Sequence, residues 1–228
     1  MANVSAACCF FVAGGVGLAG TITSLQFQKR NKDRVNVYID GEFAFGLDAV
    51  HAAGLRKGQL LSEPEIDALK QRDVKQKAFD RAVRFLGFRP RSQAEVKSYL
   101  KGKKYDDETI SEVIDRLEKM GYLDDEAFAL FWIENRQRFK PRSRRALRFE
   151  LHQKGVERDI VAEATENVDE EEAAWRAVEN KAGRWYNLQA DEFRRKLYGF
   201  LQRRGFHYDI IKKTYERARQ DLDIDFET

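Results

Sequence analysis

The chain has 228 residues, of which 35% are charged and 43% hydrophobic, and its formal net charge is only +3. This length allows one or two domains with a buried core, and the composition is typical of a soluble, helix-rich protein with much solvated surface. The only two cysteines, Cys8 and Cys9, are adjacent, which excludes a disulfide framework and a cysteine metal site and favours a reducing, cytoplasmic compartment.

Residues 1–20 form an apolar, glycine-rich segment without a charge between Ala6 and Ala19. It is shorter than the roughly 20 residues that a membrane helix needs. No Lys or Arg precedes it, as one would in a secretory signal. We therefore predict a poorly ordered tail or a start site assigned too far upstream, with an export or anchoring role as the less favoured alternative. We expect no membrane contact.

The same segment contains a match to the dinucleotide-binding fingerprint, Gly15-Val16-Gly17-Leu18-Ala19-Gly20, with Asp40 twenty residues further on. That fingerprint requires a strand, a glycine turn, a packed helix and a parallel strand. Here the segment after Gly20 alternates like a strand, and Asp40-Gly41 turns the chain directly into another strand. We therefore predict no nucleotide cofactor at these glycines, and no cofactor elsewhere.

Residues 21–47 are predicted to form a three-stranded antiparallel meander. Turn residues at 31–33 and the Asp40-Gly41 pair separate its strands. Asp48 can cap a short helix that runs through His51 and Ala53.

Residues 55–58 are interpreted as a loop after this short helix. Ser62-Glu63-Pro64-Glu65 then begins another helix, with Pro64 in its first turn. This helix can continue toward the first long repeat, and residues 21–75 form the predicted N-terminal domain.

From residue 78 onward the chain has essentially no strand signals and repeats itself. Pro90-Arg91-Ser92 recurs as Pro141-Arg142-Ser143, and four apolar positions recur three times in the same register. These positions are Val96, Leu147 and Leu197; Leu100, Leu151 and Leu201; Tyr105, Val156 and Phe206; and Ile110, Val161 and Ile211. Such recurrence at helical spacing predicts three copies of one helical unit.

Each unit is predicted to hold three helices, which in the first unit span residues 78–88, 92–101 and 107–119. Ser92-Gln93-Ala94-Glu95 is a capping box for the middle helix. The repeats are placed at residues 76–123, 124–172 and 173–228, the last with an acidic tail. The third repeat lacks Pro-Arg-Ser, and its aromatic residues are expected to pack in the core or against a neighbouring unit; they include Trp175, Trp185 and Tyr186.

The predicted fold is therefore mainly α: tandem repeats of a three-helix unit in an elongated or curved array, with a small N-terminal antiparallel β meander. The stretch from Gly121 to Ala129 joins two units. Gly121 is placed as the left-handed residue that ends one helix, and Asp124 as the N-cap of the next.

No catalytic or metal-binding pattern is found. His51, His152 and His207 are scattered, and none lies at a ligand spacing from a cysteine. The sequence contains neither a phosphate-binding G-x-x-x-x-G-K-[ST] loop nor a nucleophile elbow. We therefore expect a protein that is not an enzyme.

The near-neutral total charge conceals an acidic block at residues 106–126 beside a basic block at residues 127–160. Several arginines open a helix, where the helix dipole disfavours cations, which suggests an external anion as their partner. A solvated basic face is the alternative. The candidate partner- or DNA-binding residues are Arg136, Arg138, Lys140, Arg142, Arg144, Arg145 and Arg148, with a second cluster at Arg194, Arg195, Lys196, Arg203 and Arg204.

With its repeats in register, the chain from about Ile22 onward resembles the RecX family of bacterial recombinase regulators. Ser92-Gln93-Ala94-Glu95-Val96 with Leu100 and Tyr105, the stretch from Gly121 to Ala129, and the stretch from Leu147 to Val156 carry the resemblance. The resemblance implies a non-enzymatic modulator that lies along the RecA–DNA filament and restrains strand exchange and ATP hydrolysis. We expect a cytoplasmic monomer whose partners are the RecA filament and possibly single- or double-stranded DNA. The alternative is a helical repeat protein that binds nucleic acid without RecA.

Overall fold

The computed structural model describes residues 18–185 and 188–221. No helix within these ranges is both long enough and apolar enough to cross a bilayer. The chain divides into two compact units between Asp80 and Arg81. The predicted tail before residue 18, with Gly15 and Gly17 of the glycine fingerprint, lies outside the described residues. So do Tyr186 and the acidic residues after Asp221.

The N-terminal unit is built on an antiparallel sheet with the strand order β3-β2-β1-β4. Its strands are β1 (Leu18–Phe27), β2 (Arg34–Ile39), β3 (Glu42–Asp48) and β4 (Leu60–Ser62). β1, β2 and β3 form the predicted meander, with Leu25 opposite Val37 and Val37 opposite Phe45. Asp40 and Gly41 turn β2 into β3 with φ angles of 49° and 90°, the left-handed conformation that a tight hairpin requires.

The prediction of three strands was incomplete, because β4 adds a fourth strand on the other side of β1. Leu61 lies opposite Gly20, and its side chain is buried against Ile22 and Leu47 in the core of this unit. Three residues are too few to show the alternation by which a strand is recognised in a sequence. Pairing with β1 decides the conformation of this segment.

Gly20 and Asp40, two of the described residues of the apparent dinucleotide fingerprint, lie together for a structural reason. The Thr21 N–H donates to Asp40 Oδ1 over 2.9 Å. A Cβ on Gly20 would collide with the Asp40 carboxylate, and Gly20 has a φ of 143°. Glycine therefore permits the close approach of β1 to the hairpin turn, as the antiparallel interpretation requires.

Two helices follow the sheet. In α1 (Ala49–Ala52) the Val50 N–H donates to the predicted cap Asp48. α2 (Glu63–Leu86) is a single helix of 24 residues, so the helix that begins near residue 62 continues into the first helix of the first repeat. The boundary between the two compact units falls within it.

The rest of the described chain is helical, with no strand among the described residues after β4. Its helices are α3 (Gln93–Gly102), α4 (Asp107–Lys119), α5 (Asp125–Phe139), α6 (Arg144–Gln153), α7 (Arg158–Glu166), α8 (Glu170–Trp185), α9 (Ala190–Gln202) and α10 (Tyr208–Asp221). The predicted all-helical repeat architecture is confirmed. All of the recurring apolar positions are buried except Tyr105, which is half-buried.

The turn between the second and third helices has the same backbone in every repeat. Lys104, Gly155 and Gly205 occupy equivalent positions, with φ angles of 64°, 75° and 87°. In each repeat the next N–H donates to the carbonyl of the last buried leucine of the second helix, Leu100, Leu151 or Leu201. This 6→1 hydrogen bond is the Schellman ending, which satisfies a carbonyl that the helix leaves free.

Side-chain caps start the helices where the sequence placed them. The Glu95 N–H donates to Ser92 Oγ, and the Ala127 N–H donates to Asp124 Oδ1. Gly121 has the expected left-handed conformation, with a φ of 71°. The second half of the predicted capping box is the Glu95 side chain, and it is used differently. Its carboxylate accepts hydrogen bonds from Arg89 and Lys154.

Neighbouring repeats meet at equivalent places. Ser92 Oγ donates to the carbonyl of Lys154 in the next repeat. One repeat further along, the Ser143 N–H donates to the carbonyl of Arg204 over 3.2 Å. The cap of the second helix in one repeat thus packs on the Schellman turn of the next repeat.

Candidate partner-binding surface

The basic turn, residues 136–145, connects α5 to α6 in the middle repeat. Arg136 and Arg138 lie in the last turn of α5, and Ser143 caps α6. Pro141 is buried at the centre of the turn. The sequence predicted this placement, and the structure shows which of the cations have internal partners.

Two arginines of the basic turn are paired within the repeat. Arg136 Nε donates to Glu150 Oε2 over 2.7 Å, and Arg142 Nε lies 3.4 Å from Glu150 Oε1. The Trp132 indole N–H donates to the same carboxylate, and the Arg136 guanidinium lies 4.5 Å from the centre of the Trp132 ring. Glu150 therefore satisfies much of the charge of these two arginines from inside the protein.

Arg144 and Arg148 are also used internally, on the side of α7. Arg144 Nη2 donates to the Val168 carbonyl over 3.0 Å, and Arg148 Nε donates to Thr165 Oγ1 over 2.8 Å. The Arg144 backbone N–H at the start of α6 donates to Glu170 Oε1 over 2.9 Å. The anion that the sequence argument sought for this helix start is therefore partly supplied by the chain itself.

Arg204 is the point where the two predicted basic clusters meet. Its Nη1 donates to the Pro141 carbonyl over 2.9 Å, and its guanidinium lies 4.4 Å from the centre of the Phe200 ring. Burial, and after it the nearby charge of Arg142, lower the pKa of Arg204. Arg204 therefore stabilises the junction between the middle and third repeats.

The other cations of the second cluster lie mostly along α9. Arg194 lies 5.4 Å from the centre of the Tyr198 ring, and Lys196 lies 3.1 Å from Glu192. Arg195 Nε donates to the Asp191 carbonyl over 3.2 Å, and Arg203 is exposed at the C-cap of α9. Arg194 and Arg195 also border an open pocket with Asp191, Tyr198 and Tyr208.

Three cations of the basic turn remain available to a partner: Arg138, Lys140 and Arg145, which we call the free basic set. All three are exposed, and none forms an ion pair with another described residue. They flank Phe139, whose side chain is 66% exposed, with the Arg138 guanidinium 5.2 Å from its ring centre. Of the cations predicted in the basic turn, only these three are thus without an internal ion pair or side-chain hydrogen bond among the described residues, and the exposed Phe139 ring lies in the same turn.

Phe139 was missed by the sequence argument, although a signal for it was present. The recurrence of Pro-Arg-Ser extends two residues further toward the N-terminus, since Phe88-Arg89-Pro90 matches Phe139-Lys140-Pro141. Phe88 is 85% exposed. An apolar residue that recurs in two repeats and is exposed in both differs from the buried recurring positions, and exposed aromatic residues are enriched in binding surfaces.

No group of three or more metal-ligating side chains comes together within residues 18–185 and 188–221. No described histidine takes part in such a group. The basic turn presents exposed cations and an exposed aromatic ring.

Four family models match consecutive parts of the chain. The N-terminal domain of regulatory protein RecX matches residues 20–62, and the first, second and third three-helix domains of RecX match residues 78–117, 124–164 and 169–214.

Curated relatives and solved structures agree with these matches. The chain is 32% identical to the Regulatory protein RecX of Bacillus subtilis over 90% of this chain and 80% of that protein. It is 30% identical to that of Clostridium botulinum, strain Alaska E43, over 86% and 95%. A crystal structure of regulatory protein RecX covers 86% of this chain and 99% of its own, with a TM-score of 0.69 and 23% identity. RecX from Lactobacillus salivarius covers 65% and 96%, with a TM-score of 0.54 and 22% identity.

Proposed function

The chain belongs to the RecX family of regulatory proteins, and we propose that it binds the RecA–DNA filament and inhibits the recombinase and ATPase activities of RecA without catalysing a reaction itself. We also propose that it acts in the cytoplasm as a monomer. The observation that carries the choice of surface is the free basic set around the exposed ring of Phe139.

The free basic set suits an anionic partner for a physical reason. Arg136, Arg142, Arg144 and Arg148 have internal hydrogen bonds or ion pairs, so an external anion has to compete for them. Arg138, Lys140 and Arg145 are exposed and form no ion pair with another described residue, so an anion that binds them displaces mainly water. Charged contacts of this kind each contribute on the order of 1 kcal/mol or more when a partner excludes water.

A second candidate function is the binding of single-stranded nucleic acid without RecA. The exposed rings of Phe88 and Phe139 lie beside Arg89 and Lys140 at equivalent places in two repeats. Proteins that bind single strands combine cations for the phosphates with aromatic rings on which bases stack. The same surface therefore serves either function, and the two must be distinguished by measurement.

The test neutralises the free basic set in one variant, Arg138→Gln with Lys140→Gln and Arg145→Gln. RecA ATP hydrolysis on single-stranded DNA is measured while the protein is titrated in. We expect the variant to need at least about tenfold more protein for half-inhibition, because losing ~1.4 kcal/mol of binding is a factor of ten. Its melting temperature should stay close to that of the parent, since these side chains hold no described ion pair.

The matched control removes three exposed lysines of the N-terminal unit, Lys29→Gln with Lys32→Gln and Lys57→Gln. It should inhibit like the parent. Equal inhibition by both variants would place the RecA contact elsewhere. If the protein does not inhibit RecA at all but binds a labelled oligonucleotide with a steep dependence on salt, the second candidate function is favoured, because phosphate contacts release counterions.

A further inference from the structure

A groove of about 290 Å³ lies between α5 and α7 of the middle repeat, away from the basic turn. Leu130, Ile160 and Ala164 form its apolar floor, and Glu126 and Glu163 border it. Leu130 is 58% exposed, so its side chain is open to a contact from outside the chain. Neither glutamate is paired with a cation among the described residues, so two negative charges flank an open apolar surface.

The third repeat shows how the equivalent groove is filled. Asp124 and Asp169 cap the first helices of the two repeats, and Ala129 and Ala174 are fully buried at equivalent places. In this register of the first helices, Glu171 replaces Glu126 and Trp175 replaces Leu130. In the third helices, the recurring pair Val161 and Ile211 sets the register, and there Lys213 replaces Glu163 and Arg217 replaces Asn167.

These replacements close the groove from within the chain. Trp175 is only 8% exposed. Lys213 pairs with Glu171, and the Arg217 guanidinium lies 4.2 Å from the centre of the Trp175 ring. Arg217 also lies 3.3 Å from Glu172. The space that is empty in the middle repeat is thus occupied in the third repeat. It holds the Trp175 ring, Lys213 beside Glu171, and Arg217 over the ring.

The first repeat carries a similar replacement in its sequence. The residue at the position of Leu130 is Phe79, which is buried, and the residue at the position of Asn167 is Arg116. The middle repeat is therefore the copy in which these positions hold neither an aromatic residue nor an arginine. Instead it has a smaller apolar side chain and two glutamates that a cation from outside can reach.

We propose that this groove binds a basic amphipathic helix of a protein partner, with a large apolar side chain placed on Leu130 and a Lys or Arg between Glu126 and Glu163. The groove follows α7 from Ile160 to Asn167, which is about 10 Å at 1.5 Å per residue. That length matches two turns of a helix, whose residues i and i+4 fall on one face. The acidic border repels phosphate, so the groove favours a protein over a nucleic acid.

Glu163 belongs to the acidic border of this groove. The groove gives Glu163 a place opposite Glu126, and its counterpart Lys213 makes an ion pair in the third repeat. Apolar contact and charge complementarity at one place are the features of a specific protein interface.

The test fills the groove from within the chain, using the full-length variant Leu130→Trp with Glu163→Lys and Asn167→Arg. The probe is a fluorescent synthetic amphipathic peptide rich in Leu and Lys with one Trp, and its anisotropy is measured without RecA. We expect the parent protein to bind this peptide more tightly than the same peptide with Glu in place of Lys. The filled variant should bind it at least about tenfold more weakly and melt no lower than the parent.

The matched control, Asp115→Lys with Glu179→Gln, makes the same change in net charge at exposed positions of the first and third repeats, and should bind like the parent. Should the filled variant fail to fold, Glu126→Gln with Glu163→Gln keeps both shapes and should still weaken binding. Unchanged binding by a folded groove variant, or no preference for the Lys peptide, overturns the proposal. Since RecA is absent, such a failure leaves the proposed function untouched.

Discussion

Glu95 shows at the scale of one residue how the repeats are held together. Its carboxylate accepts from Arg89 of its own repeat over 2.9 Å and from Lys154 of the next repeat over 2.7 Å. Burial opposes its ionisation, but the two hydrogen bonds and then the charges of Arg89 and Lys154 outweigh burial and lower the pKa of Glu95 to about 2. An ionised Glu95 therefore stabilises the junction.

This pKa gives a prediction about stability and pH. A carboxyl whose pKa is lower in the folded state contributes stability above its unfolded pKa, and that contribution is lost as the pH falls toward the folded pKa. We expect Glu95 to contribute at most about 3 kcal/mol near neutral pH, since one pKa unit is worth roughly 1.4 kcal/mol. The contribution should disappear between about pH 4.5 and pH 2.

Urea unfolding of the parent and of Glu95→Gln at several pH values tests this prediction. The two proteins should differ most near pH 7 and converge toward pH 2. The exposed Glu108→Gln serves as the control and should follow the parent throughout. A difference between the parent and Glu95→Gln that does not vary with pH would mean that the Glu95 charge is not what stabilises the junction.

At the scale of the elements, the Schellman turns are both helix endings and contact surfaces. Gly155 and Gly121 have nearly the same conformation, with φ angles of 75° and 71°. A Cβ on Gly155 would collide with the Cβ of Ala94 in α3, whereas a Cβ on Gly121 would meet nothing within 4 Å. Glycine at position 155 is thus needed for close packing as well as for its backbone conformation.

The two glycines therefore form a matched pair of substitutions. Gly121→Ala should cost on the order of 1–2 kcal/mol, the usual penalty for a side chain in the left-handed region. Gly155→Ala should cost about 1–3 kcal/mol more, because overpacking the junction adds to that penalty. Equal losses in a chemical denaturation experiment would show that α3 can move away from the turn without cost.

At the scale of the whole molecule, the helical repeats depend on nearest neighbours. The core cluster of the third repeat is built from its own helices and includes Trp175, Phe193, Leu197 and Ile211. A separate cluster in the middle repeat includes Phe128, Leu147 and Val161. Between them run specific junction contacts such as Arg204 to Pro141. Stability in such an array is a sum of repeat and interface terms.

A substitution that disturbs one junction should therefore destabilise the adjoining repeats and leave the remaining repeat largely unaffected. In Gly155→Ala, which disturbs the junction of the first and middle repeats, amide hydrogen exchange should speed up in α3, α6 and α7. α9 and α10 should keep most of their protection, because their contacts are made within the third repeat. Hydrogen exchange followed by mass spectrometry measures this, and uniform loss of protection along the chain would instead indicate one cooperative unit.

The free basic set illustrates what sequence reasoning about a site can and cannot reach. A run of arginines and lysines from Arg136 to Arg148 is visible in the sequence, and so is its position at a helix end and a helix start. Which of these cations is free depends on Glu150 in α6, Thr165 in α7 and the Val168 carbonyl after α7, which the fold brings to them. The sequence shows how many cations are present. An external partner binds most readily to the cations that have no internal partner, and only the structure shows which these are.

The sequence by itself determined the helical repeat, its register, its caps and the antiparallel hairpins, because these depend on neighbours a few residues away and on periodic burial. Only the tertiary structure decided the short strand β4, the pairing of Glu95 with Lys154 and the open groove beside Leu130. Each of these depends on segments far apart in the chain. Their contacts arise from packing geometry, which no local pattern records.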